Sequence, residues 1–352
     1  MNLVSEKLSL KIKQVLFLMS FFVVVQHSIN APGISYDNFS SSPFNIEVAI
    51  QFFIGLQLVT VSNPLFFLIS GYLFFRNIDI KSIWSKWKKR FYSLVVPYLI
   101  ATICAILFTP LLFKLTNGQI YKIDPGFTNW NTFQEFLNIL TRGGITYQLW
   151  FIRDLIVYIL LAPLLYFLLK KLPKLTLFTF FLIWVMDFKV GIVSTDNLIF
   201  FPLGAYLALN SYKLSTKPNT KYLIIASIIW LILMQMKLYL SFSHLGKTYY
   251  LILLHRAALI FGMYSVWKFF DYVKYSQKLL SFTRFAFFVY LFHLPYIYFV
   301  EYLVDLASLS LPGQATIRFV LTPIITFLSL VSIGKGLSKL NPKLYRVISG
   351  NR

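Results

Sequence analysis

Apolar runs of roughly 20 residues, separated by short gaps that gather the cations, leave this chain few possible folds. A run of that length crosses a hydrocarbon core as a helix, because inside a bilayer each backbone polar group must be satisfied within its own segment. The runs lie near residues 15–30, 48–75, 92–114, 148–169, 174–188, 191–210, 221–242, 249–270, 284–303 and 315–334. Composition agrees. Of 352 residues 58% are hydrophobic and only 13% charged, where soluble domains carry about a quarter. The reading is all-α: a polytopic membrane helix bundle of about ten transmembrane helices, taken as one domain over residues 1–352. The fifth run is the shortest. The second is long and holds Asn63-Pro64, where a kink is expected.

The charges orient the spans. A net charge of +21 raises the question of nucleic acid, but the cations sit in clusters between spans, the signature of topology, so no nucleic-acid partner is expected. With the N-terminus in the cytoplasm, the inner side holds Lys7, Lys11 and Lys13, then Arg76, Lys81, Lys86, Lys88, Lys89 and Arg90, and further clusters up to the tail. The outer side holds only Lys114, Lys122, Arg142, Lys189, Lys247 and Arg318. The bias alternates at every loop, which predicts both termini cytoplasmic. Cys104 is the single cysteine, so there is no intrachain disulfide and no thiolate metal cluster; no metal site is expected. Val15–His27 reads as a span rather than a cleaved leader.

That first span, VLFLMSFFVVVQH, ends in an imidazole. On a helix His27 stands about 20 Å from Lys13, across most of a core about 30 Å thick. Three cations lie inside spans: Arg153, Lys237 and Arg256. Arg153 and Asp154 follow Trp150 at the start of the fourth, His255 and Arg256 sit at a similar depth in the eighth, and His293 lies near the middle of the ninth. His27, Arg153, Asp154, His255, Arg256 and His293 are thus expected in the outer half of one bundle. Ionisable groups are costly there and mark function. The competing reading is structural: an ion pair, an interfacial anchor and a histidine bonding a neighbouring helix.

Six segments, in order, resemble the acyltransferase-3 family of integral membrane acyltransferases, which O-acylate carbohydrates and similar acceptors. The first span ending VVVQH resembles the family's first helix, with its terminal histidine, thought catalytic, at His27. PLFFLISGYLFFR resembles the second-helix motif, at Ser70 and Gly71, and KKRFYSLVVPYLI the basic segment before a proline, at Arg90 and Pro97. LWFIRDLIVYILLAP resembles the fourth-helix block, at Trp150, Arg153 and Asp154. FFPLGAYLA and FVYLFHLP resemble two later blocks, at Gly204 and His293. One departure stands out. Many members carry an arginine eleven residues before the histidine, where this chain has Leu16; Lys13, Arg153 or Arg256 is left to take that role.

The resemblance implies an acyl-CoA, acetyl-CoA in the simplest case, as co-substrate with no bound cofactor. It implies a carbohydrate or lipid-linked glycan as acceptor, membrane lipid around the chain and a bacterial inner membrane as its place. His27 would take the hydroxyl proton as general base while neutral. Arg153 would meet the developing oxyanion, with Asp154 orienting a histidine or holding Arg153; as sequence neighbours these two need not pair. The inner cluster from Arg76 to Arg90, with Lys88 and Lys89, suits CoA phosphates. Ser70, Trp150, His255, Arg256 and His293 are the remaining substrate-binding candidates. The outer loop from Lys114 to Tyr147, with Tyr121, Phe127 and Trp130, suits stacking on a sugar, and equally an aromatic belt at the membrane interface. There is no HExxH, no GxSxG and no P-loop. The rival readings are a glycan or lipid exporter and a membrane glycosyltransferase; the first lacks paired half-repeats here and the second a DxD pair.

Overall fold

A computed structural model describes residues 6–30, 45–79, 82–118, 148–188, 195–212, 214, 219–242, 249–274, 277–308, 311 and 313–350. The outer-loop aromatics Tyr121, Phe127 and Trp130 lie outside the described residues. Among those described there is no strand. Helices stand at all ten expected positions. Seven are long and apolar enough to cross a membrane: α1 (Glu6–His27), α2 (Ile46–Phe75), α3 (Ile83–Leu115), α8 (Thr220–Phe242), α9 (Tyr249–Phe269), α11 (Ala286–Ser308) and α12 (Gln314–Leu340). The bent pair α4 (Trp150–Leu160) and α5 (Ala162–Lys171) makes an eighth if taken as one span. The other two segments, α6 (Pro173–Val185) and α7 (Phe200–Leu209), are shorter apolar helices. Short helices α10 (Gln277–Thr283) and α13 (Pro342–Ile348) complete the set.

Prolines explain the irregular stretches. In α2 the helix passes through a π-turn at Ile54–Leu58 and a 3-10 turn at Val59–Val61 before resuming at Ser62. Pro64 cannot donate to the carbonyl of Thr60, and its ring crowds that carbonyl, so the ladder loosens just ahead of it. The kink expected at Asn63-Pro64 is therefore displaced toward the N-terminus. Pro97 follows a second π-turn, Phe91–Val95, in α3 by the same logic. In α11 the residue before Pro295, Leu294, leaves helical geometry (φ −109, ψ 138), as crowding by the proline ring demands.

The contacts divide the chain into two compact units, each assembled from separated segments. The first comprises 1–78, 165–189 and 194–284. Here α1 packs along α2, α7 on α2, and α8 with α9 as an antiparallel pair. The second comprises 79–164, 190–193 and 285–352, with α11 against α3 and α12.

In the first unit two of the family-like motifs meet through their glycines. A Cβ placed on Gly71 of α2 would strike the carbonyl oxygen of Phe201, and one on Gly204 of α7 would strike that of Leu68. Without side chains at these points the two backbones approach closely, the usual way for membrane helices to gain contact. Gly71→Val and Gly204→Val are each expected to cost several kcal/mol by overpacking. The check is loss of detergent-stable protein on a sizing column. The control is Ile224→Val, which should leave the elution unchanged because Ile224 is 52% exposed on the outside of α8.

Candidate functional site

The first unit carries His27, Ser70, His255 and Arg256. His27 is the last residue of α1 and half-buried. Helix α1 is fixed at its other end by Lys11, whose ammonium is completely buried, 2.6 Å from Asp271 and 4.0 Å above the Trp267 ring. From the sequence, Lys7, Lys11 and Lys13 belong together with the topology cations, and Lys13 is one of three candidates, with Arg153 and Arg256, for the role of the missing arginine. The structure separates them: Lys13 is exposed and Lys11 is the buried cation of α1. Spacing decides it, because Lys11 falls on the stripe with Leu8 and Val15 that faces the unit's interior.

Arg256 is only 3% exposed. Its Nη2 donates to Asp187 at 2.5 Å and reaches Asp196 at 3.5 Å, and its guanidinium lies 5.1 Å from the centre of the Trp184 ring. The indole N–H of Trp184 donates to the Asp196 carbonyl at 2.9 Å, tying the 3-10 turn Thr195–Asn197 to α6. Beside Arg256, His255 Nδ1 sits 3.2 Å from the Lys237 ammonium of α8. Counting along the helices from the Lys11–Asp271 contact, His27 and His255 both stand about 24 Å away and Arg256 about 22 Å. By this count His27, His255 and Arg256 lie at similar distances along their helices from that contact. Ser70 is half-buried on α2, next to the packing glycine Gly71.

The second unit carries Trp150, Arg153, Asp154, His293, Lys88, Lys89 and Arg90. Arg153 and Asp154, which needed no contact as sequence neighbours, do pair: Nε and Nη2 donate to one carboxylate oxygen at 3.1 and 2.9 Å. Asp154 is fully buried and the Arg153 side chain is 18% exposed, so the cation is held by its base with part of its face open. Trp150 is half-buried and opens α4. Two more of the family-like motifs meet around Tyr290. Its hydroxyl donates to the Gln148 carbonyl at 2.8 Å, its ring meets Phe151 edge-on, and its own carbonyl lies 2.8 Å from His293 Nδ1. His293 is completely buried. The Gln148 amide in turn reaches the Leu294 carbonyl at 3.4 Å, at the break in α11.

Helix α3 opens with the cationic segment Ile83–Arg90, on which Lys88 and Lys89 are exposed and Arg90 is half-buried. The Trp87 indole donates to the Ile159 carbonyl at 2.7 Å and fixes the segment on α4. A cavity of about 460 Å³ lies there, lined by Trp84, Trp87, Lys88, Arg90, Tyr92 and Ile156 among others. Lys81 lies outside the described residues.

Sequence reasoning missed Asp187, Asp196 and Asp271, the carboxylates that answer the buried cations. A signal was present: an intramembrane cation needs a counter-charge, and the whole chain has only 12 acidic residues. No group of three or more His, Cys, Asp or Glu side chains able to hold a metal occurs among the described residues.

The chain is similar to the succinoglycan biosynthesis protein ExoH of Rhizobium meliloti (strain 1021), at 26% identity over 166 residues, 46% of this chain and 44% of that protein. The match thus spans less than half the length of this relative. No solved structure matches. The family model described as an acyltransferase domain matches residues 17–333, nearly the whole span series from α1 to α12, and the chain belongs to the acyltransferase-3 family.

Proposed function

We propose that this membrane protein moves an acyl group, acetyl in the simplest case, from a cytosolic acyl-CoA to a hydroxyl of a cell-surface or exported carbohydrate, with His27 as general base. The observation that carries the reading is the family match over residues 17–333 on a chain whose α1 ends in a half-buried histidine. A relative named for succinoglycan biosynthesis supports a glycan as acceptor. A sugar hydroxyl attacks a thioester poorly unless its proton is removed in the transition state. In the proposed step the hydroxyl oxygen bonds to the thioester carbonyl carbon and its proton passes to the neutral His27 ring. The C–S bond then breaks, CoA leaves as a thiolate and takes up a proton, and the acyl ester remains on the sugar. Arg153 is proposed as the cation that meets developing negative charge, and Asp154 as its positioning residue. The charge bias of the sequence supports both termini in the cytoplasm, and that orientation would bring the cationic start of α3 to the side where a cytosolic donor arrives.

Lys86, Lys88, Lys89 and Arg90 are proposed to hold the donor's phosphates, Arg90 as a fork and the lysines as point charges. Replacing all four by glutamine is expected to raise the donor KM roughly tenfold at low salt, about 1.4 kcal/mol, and by less as screening grows. Initial rates against acyl-CoA concentration at two ionic strengths check this. Unchanged donor kinetics in correctly inserted protein would return the segment to topology alone.

A further inference from the structure

Inside the first unit, several buried polar side chains have atoms with no hydrogen-bond partner among the described residues, and four of them stand along α1, α2 and α9: Gln14 and Gln57, each at both its nitrogen and its oxygen, and the hydroxyls of Ser62 and Ser265. They are 2%, 3%, 0% and 4% exposed. Buried polar groups are normally satisfied, so each such group needs an explanation. Their placement supplies one. Gln14 is on α1, Gln57 in the π-turn of α2, Ser62 at the start of the regular helix that follows, and Ser265 on α9. Helices α1 and α9 both pack on this part of α2. A π-turn exposes backbone and side chains in a way often used at functional sites.

The four form a graded series. The level is set at one end by Lys11 on Asp271. At the other, the Asn30 backbone N–H donates to Gln51 Oε1 and the Gln51 amide donates to Asn30 Oδ1, each at 3.0 Å. Between them, a Cβ at Gly262 of α9 would lie 2.7 Å from Val61 of α2. Counting residues along α1, or along α9 to Gly262 and then along α2, gives the same distance between the two ends, about 28 Å. On this scale Gln14 stands about 4 Å from the Lys11 level, Ser265 about 9 Å, Ser62 about 12 Å, Gln57 about 20 Å and His27 about 24 Å.

We propose that Gln14, Ser265, Ser62 and Gln57 line the path by which the donor's pantetheine arm reaches His27. The arm is an extended chain with two secondary amides and a hydroxyl, on the order of 20 Å long, which matches the rise from Gln14 to His27 on a helix. Each secondary amide offers one N–H and one C=O, and each glutamine side chain has an unused acceptor and an unused donor to meet them. The two serines serve the hydroxyl and the remaining lone pairs. The assignment deepens the acyl-CoA reading above and rests on it. It also accounts for an otherwise odd choice of residues: leucine or methionine would pack these positions at no polar cost.

The test compares wild type with Gln14→Leu, Gln57→Leu and Ser265→Ala in washed membranes. Three probe thioesters are used: acetyl-CoA, S-acetylpantetheine and S-acetyloctanethiol, the last without amides. Wild type is expected to favour the two amide-bearing donors. Each glutamine variant is expected to raise their KM about tenfold with kcat within about twofold, the pattern of lost uniform binding, and to leave the octanethiol ester unchanged. Ser265→Ala, which removes a single hydroxyl, is expected to raise KM for the amide-bearing donors about threefold and decides the matter if the leucine variants fail to insert. Inserted variants with wild-type KM for S-acetylpantetheine would overturn the proposal and leave these groups to internal water. If wild type itself consumes no thioester, it is the acyl-CoA reading that fails, which the variants' unchanged KM would not show.

Discussion

His27→Ala is expected to reduce acyl transfer by about 10²–10⁴, the usual contribution of a positioned base, while leaving insertion and donor KM intact. The half-buried imidazole ends α1 after a run of apolar residues, so its removal opens no large cavity in the core. The comparison with the other two described histidines makes the result specific. His293 is completely buried beside the Tyr290 carbonyl, and His293→Ala is expected to lower stability more than the rate per folded molecule. His255 meets Lys237, and His255→Ala is expected to fall between the two. Turnover per correctly inserted molecule, measured for all three, decides. Near-normal turnover in His27→Ala with a collapse in either other variant moves the base to that histidine.

Lys11→Met is expected to destabilise the first unit by about 3–5 kcal/mol, the cost of breaking a buried ion pair by removing one partner. Lys11 and Asp271 have side chains with no exposure at all. Without Lys11, the Asp271 carboxylate keeps Lys268 at 3.6 Å and loses its closest cation. The contact with Trp267 goes as well. Asp271→Leu is expected to cost as much, because it strands the ammonium. The double variant Lys11→Met with Asp271→Leu is expected to recover most of the loss, since two apolar side chains can pack where the pair stood. Thermal unfolding in detergent, run as a double-mutant cycle, reads the coupling. Additive losses would mean that the pair is not the clamp holding α1.

The bundle was legible because the pattern that specifies it is one-dimensional. Length and hydropathy suffice to mark α1, α2, α3, α8, α9, α11 and α12 as spans. The break in α2 was legible in kind and not in place: Pro64 announced it, but the π-turn at Ile54–Leu58 begins well ahead of the proline, because the strain is relieved along the preceding turns. Motif order singled out candidate residues, and the structure adds what several of them do locally. Gly71 and Gly204 let two backbones approach, and Asp154 holds Arg153. What the chain order hid was partnership. Lys11 and Asp271 are 260 residues apart, and Arg256 and Asp187 are 69 apart. No helical periodicity links such pairs; only the rule that buried cations need carboxylates pointed to their existence. Gln14 and Gln57 were overlooked for a related reason. A glutamine within an apolar run carries no charge to draw attention, and its burial without a partner among the described residues becomes visible only when its neighbours are in place.

The central claim is acyl transfer from a thioester to a carbohydrate, and it is met most directly in washed membranes given labelled acyl-CoA with and without acceptor glycan. The account predicts that label enters the glycan only when both are present, that one CoA thiol is released per acyl group transferred, and that membranes carrying His27→Ala do neither. Glycan that crosses the membrane unlabelled, with the thioester left unconsumed in wild type, would contradict it and identify an exporter instead.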